Sequence, residues 1–132
     1  MATNSRQKGK RGEREAAAYL RELGFEDARR TQQYCGTEGN SDVVCPDSLP
    51  GLHIEVKYGY PLSSFDICTS LFAKAVERAV ADSEEDWCIL WKPHRYKIWR
   101  LSFYAAMPDA LVTVAGDQQI VGALNWLNGV RD

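Results

Sequence analysis

The chain reads as an α/β domain, a mixed central sheet flanked by helices. Helix-period stripes lie towards both ends, Ala16–Leu20–Leu23 and Ile120–Leu124–Leu127. Short apolar runs bounded by Gly and Pro lie between them, and one of these, Leu52 to Lys57, alternates apolar and polar with a period of two. At 132 residues, 45% of them hydrophobic, the chain fits one domain, 1–132, with a modest core. No internal repeat is visible.

In order, residues 1–10 are polar and basic and are expected to form a flexible arm. From Arg11 to Leu23 the spacing predicts a helix, with Gly24 placed to cap its C-terminus. Phe25 to Gln33 leads into a first strand, and Tyr34 to Ser41 is a flexible Gly-containing loop. Strands are expected over Asp42–Cys45 and Leu52–Lys57, joined by a turn that holds Pro46, Pro50 and Gly51. Tyr58 to Phe65 is a connection. A second amphipathic helix is expected from Asp66 to Asp82, with Ile67, Leu71, Ala75 and Val76 on one face. The acidic run Asp82–Asp86 reads as solvated surface. Trp87–Trp91 is a compact apolar strand, Lys92–Arg95 a hairpin turn, and Tyr96–Leu101 the returning strand. Residues 102–132 form a C-terminal extension in which Asp117–Leu127 is a short helix. In the hairpin, Lys92, Arg95, Lys97 and Arg100 interleave with Trp91, Tyr96 and Trp99. That pattern suits a nucleic-acid backbone. It equally suits an ordinary hairpin with its aromatic face inward, which is the plainer reading.

The net charge of −2 and a pI near 5.7 argue against a uniformly basic DNA binder. The distribution is uneven. Arg6, Lys8, Lys10, Arg11, Arg14, Arg21, Arg29 and Arg30 fall within the first thirty residues, and the remainder is acidic on balance. A basic end on an acidic chain suits a polyanion at one face, or a solubilising tail. Cys35, Cys45, Cys68 and Cys88 form no CxxC pair, so buried free thiols in a reducing compartment are expected rather than zinc. The N-terminus has no apolar signal segment, and no stretch approaches the roughly 20 apolar residues of a membrane span. A cytoplasmic protein without a membrane partner is expected.

The chemistry concentrates between Asn40 and Lys57. Alternation puts His53, Glu55 and Lys57 on one strand face, with Glu55 and Lys57 about 6.8 Å apart along the chain. If the turn closes a hairpin, Asp42 returns beside them. Two carboxylates and an ammonium then converge at one end of a sheet. Hard divalent cations are held by such oxygen clusters, and Mg²⁺ takes one or two carboxylates plus phosphate and water. The plainer alternative makes Asp42 a turn residue and Glu55 with Lys57 a solvent-facing pair. Glu13, three residues before Ala16, lies on the inward stripe of the first helix. A carboxylate there needs a partner or a metal, unless it is simply a helix-start glutamate favoured by the dipole. His53 invites a ligand role, but a surface or supporting position is the plainer reading.

These residues carry a resemblance. Asp42 followed by Glu55-Val56-Lys57 resembles the D…E-x-K signature of the PD-(D/E)xK nuclease superfamily. Lys8-Gly9, Gly12-Glu13-Arg14-Glu15, Leu20, Gly24-Phe25 and Arg29 resemble the opening of archaeal-type Holliday junction resolvases. Gln33 to Gly36, Ser41 to Val44 and Pro50 to Lys57 are similar to phage-encoded resolvase-like members. The similarity covers about Arg6 to Lys57, continues loosely to Leu101, and then stops. The loop between Arg29 and Asp42 is longer than in the archaeal enzymes. Where phage relatives carry a glutamine on the second helix, this chain offers Lys74.

The resemblance implies a restriction-endonuclease-like fold. It implies Glu13, Asp42, Glu55 and Lys57 as catalytic residues, with Glu13, Asp42 and Glu55 as metal ligands for Mg²⁺, replaceable by Mn²⁺. It places Arg14 and Arg29 near the active site; with Arg6, Lys8, Lys10, Arg11 and Arg30 they are the expected DNA-binding residues. The implied activity is metal-dependent resolution of four-way (Holliday) junctions by phosphodiester hydrolysis, leaving 5′-phosphate and 3′-hydroxyl ends. Implied partners are branched DNA and a second copy in a homodimer, in the host cytoplasm if the chain is phage-encoded. The alternatives are a nuclease of this superfamily acting on other branched, nicked or duplex DNA, and a non-catalytic DNA-binding module of the same fold.

Overall fold

Six strands pair in chain order into one mixed sheet, with a helix before it and a helix after it. The computed structural model describes residues 2–31, 42–59, 86–95, 97–104 and 111–130. The elements are α1 (Ala2–Glu22), β1 (Arg29–Arg30), β2 (Val43–Val44), β3 (Leu52–Tyr58), β4 (Asp86–Lys92), β5 (Arg100–Tyr104), β6 (Leu111–Ala115) and α2 (Asp117–Val130). Neighbouring strands run antiparallel except β3 and β4, which are parallel. A parallel pair needs a crossover of a dozen or more residues, and residues 59–85 provide that length. The expected helix Asp66–Asp82 with Lys74, the loop Tyr34–Ser41, Cys35, Cys68 and Tyr96 lie outside the described residues.

α1 ends as Gly24 predicts. Gly24 takes φ 109°, its N–H donates to the Arg21 carbonyl, and the Phe25 N–H donates to Leu20. This pair of bonds satisfies carbonyls that the last turn leaves open. Ala16, Ala17 and Leu20 are buried against Val43, Leu52, Ile54 and Val56. The apolar positions of β3 therefore face α1, as the period of two requires. Ile120, Ala123, Leu124 and Leu127 of α2 join the same core with Leu90, Leu101 and Phe103.

Several expected boundaries are corrected. α1 begins at Ala2 rather than Arg11, so the stretch expected as a flexible arm is part of the helix. Its polar sequence carries no apolar stripe to announce it. β4 opens at Asp86, and the rest of the expected acidic run, residues 82–85, lies outside the described residues. β5 starts at Arg100, not Tyr96, because Lys97 and Ile98 stand exposed outside the ladder. Residues after 101 are not an appendage: they complete β5, add the unexpected strand β6, and bury Ile120 and Leu124 completely. Of the hairpin aromatics, Trp91 and Trp99 are buried; Arg100 lies over the Trp91 ring at 5.4 Å and Lys92 over the Trp99 ring at 5.5 Å.

Cys45 and Cys88 are buried free thiols; burial pushes Cys45 up to about 12 and raises Cys88 further. No helix among the described residues is long and apolar enough to cross a membrane.

Candidate active site

Asp42 is the bend residue that feeds β2. Its carbonyl accepts the Thr31 N–H at 3.1 Å, and its own N–H donates to Ile54 at 3.0 Å. Its side chain completes the attachment: Oδ2 accepts the Val56 N–H at 2.9 Å. The two bonds to β3 straddle Glu55. The turn behind them is fixed from outside. Asp27 accepts the Asp47 and Ser48 N–H groups at 2.6 and 3.0 Å and also the Ser48 hydroxyl. Those bonds hold the Asp27 carboxyl down at about 2, below the ordinary carboxylate range.

Asp42 and Glu55 form a close acidic pair. Burial raises Asp42 to about 7, and the Glu55 charge and a hydrogen bond with Glu55 push the same way. The Val56 N–H opposes this, and Glu13 adds a weaker repulsion from α1. Glu13 itself is held by Arg30 of β1, Oε1 to Nε at 3.2 Å. Glu55 Oε2 lies 3.1 Å from His53 Nε2. Lys57 is half-buried two residues further along the same face of β3.

The structure thus brings together Asp42 and Glu55, with Lys57 beside them on one strand face and Glu13 at longer range. Among the described residues, no group of three or more His, Cys, Asp or Glu side chains is gathered closely enough to hold a metal ion. The pair alone meets the minimum for Mg²⁺, one or two carboxylates completed by phosphate and water. A cation would offset both the burial and the Glu55 repulsion that raise Asp42 above its ordinary value.

No protein-family model, curated protein or solved structure matches the chain.

The expected DNA-binding residues divide. Lys10, Arg11 and Arg14 are exposed on the turns of α1 around Glu13, and Arg29 is exposed on β1. Arg30 is the ion-pair partner of Glu13. The side chains of Arg6 and Lys8 lie outside the described residues.

One participant was not read as such from the sequence. Gly12 lets α1 approach β3: a Cβ there would sit 2.4 Å from Tyr58 Cβ. The helical stripe alone does not report such a contact. His53 is 1% exposed, which rules out the surface position, and its Nε2 meets Glu55, as the supporting position expects. A signal for it was present. The run Trp87–Trp91 is continuously apolar rather than alternating, as in a strand buried on both faces. Its parallel neighbour β3 shares that environment.

Proposed function

We propose that the chain is a metal-dependent endonuclease of the PD-(D/E)xK type that resolves four-way DNA junctions by phosphodiester hydrolysis. The observation that carries this reading is the convergence of Asp42 and Glu55 at the β2–β3 end of the sheet, with Lys57 on the same strand face. A surface ornament would not bring two mutually repelling, half-buried carboxylates together. In this reading the fold is restriction-endonuclease-like, and Glu13 completes the acidic set from α1.

Asp42 and Glu55 hold a divalent cation, Mg²⁺ or Mn²⁺. When bound, the cation supplies Lewis-acid polarisation of the scissile phosphate and lowers the pKa of water. The chain supplies the rest. Lys57 places positive charge where the phosphoryl oxygens become more negative, stabilising that charge in the transition state. Arg30 fixes the carboxylate of Glu13. Lys10, Arg11, Arg14 and Arg29 contact phosphates, which orients the duplex arms without reading bases. Paired cuts on opposed strands suit two active sites related by a two-fold axis, so the working form is a homodimer.

The test uses purified protein with a labelled four-way junction and with linear duplex of the same sequence, each with Mg²⁺ and with EDTA. The reading expects symmetric paired nicks on the junction, none on the duplex, and none in EDTA. Equal cutting of both substrates overturns the junction specificity and leaves a general nuclease. Binding without cutting under Mg²⁺ and Mn²⁺ overturns the enzyme and leaves a DNA-binding module.

A further inference from the structure

We propose that His53 is a positioning residue for the Asp42–Glu55 cation site, holding one oxygen of Glu55 by an Nε2–H donor. The inference rests on the metal-site reading above and adds to it a residue that touches neither cation nor substrate.

Three observations carry it. First, the ring is 1% exposed on a strand face whose parallel neighbours Ile89 and Trp91 are also buried. An apolar side chain suits that position better, since a buried imidazole costs free energy wherever it is not fully hydrogen-bonded. Second, the ring is not fully hydrogen-bonded. Nε2 lies 3.1 Å from Glu55 Oε2, while Nδ1 is buried without a hydrogen-bond partner among the described residues. The tautomer with its proton on Nε2 makes that contact a true hydrogen bond and leaves only a lone pair unmatched. Third, the other carboxylate is treated alike. Asp42 Oδ2 accepts a β3 donor, the Val56 N–H, at 2.9 Å.

One oxygen of each acid is therefore fixed by a donor from β3. Outer donors of this kind orient metal-binding carboxylates, and losing one weakens metal affinity. Among the described residues, His53 makes its one hydrogen bond to Glu55, two residues along its own strand. A role confined to packing needs no imidazole there.

Mn²⁺ binding measured by calorimetry on the whole chain tests the assignment, together with unfolding temperatures in EDTA. His53→Leu is expected to weaken Mn²⁺ binding roughly 10- to 100-fold, with an unfolding temperature in EDTA equal to or above that of the wild type. His53→Gln, whose amide N–H reaches where Nε2 lies, is expected to recover most of the affinity. His53→Asn, which places its amide near Nδ1 instead, is expected to stay weak. The Gln–Asn contrast decides the matter if the Leu variant does not fold. Wild-type affinity in His53→Leu, or equal affinities in the Gln and Asn variants, overturns the proposal and leaves the metal site standing. A wild-type chain that binds no Mn²⁺ overturns both.

Discussion

At Asp42 the main chain and the side chain are tied to one strand, the N–H to Ile54 and Oδ2 to Val56. The attachment brings the carboxylate against Glu55, and burial raises it to about 7. Removing that charge should therefore stabilise the cation-free fold. At pH 8 in EDTA, Asp42→Asn should melt about 5 °C or more above the wild type. The wild type should gain stability when Mg²⁺ is added, and the variant should not. Asp27 gives the opposite sign. Its folded value is depressed to about 2, so its contribution is present above the ordinary carboxylate range and lost as pH falls through about 2. Asp27→Ala should melt below the wild type at pH 7, and the gap should close between about pH 4 and pH 2. A gap that is constant with pH contradicts the role given to its bonds with Asp47 and Ser48. The pairing of Asp42 with Glu55 was legible because a period of two and a Pro-Gly turn constrain a hairpin. The burial of His53 was signalled only indirectly, by the continuously apolar run Trp87–Trp91, because alternation within β3 alone does not say what covers its polar side.

Among the elements, α1 and β3 set the spacing of the site. Gly12 is where they meet, and Tyr58 closes the gap. Gly12→Ala gains up to about 1 kcal/mol of helix propensity. It also forces a Cβ to 2.4 Å from Tyr58, an overpacking that costs typically about 1–3 kcal/mol. The expected outcome is a net loss of stability in urea unfolding. Junction cleavage should fall as well, since Glu13 is the next residue and moves with the helix. A variant at least as stable as the wild type contradicts this packing of α1 on β3. The end of α1 was readable from Gly24, a residue whose φ of 109° suits glycine. Its start was not, because Ser5 to Lys10 is polar on every side. β6 escaped for a different reason: Leu111–Ala115 is five residues long and earns its place only by pairing with β5.

At the scale of the molecule, strand order is the part that local pattern cannot supply. β3 and β4 are neighbours and parallel, although residues 59–85 separate them. That pairing is set by burial of both strands, not by any turn signal. It also places Lys57 beside Trp91 and Glu55 beside Ile89 in the register. The α/β class was legible from alternating helical and extended runs, while the sixth strand and the integration of the C-terminal helix emerged only from the assembled sheet. The proposed activity requires the half-buried Asp42–Glu55 pair to act in catalysis and not in folding alone. The most direct measurement compares wild type, Asp42→Asn and Glu55→Gln for binding and for Mg²⁺-dependent cleavage of one four-way junction. Both variants are expected to fold and to bind the junction like the wild type without cutting it. A variant that still cuts at the wild-type rate would contradict that requirement.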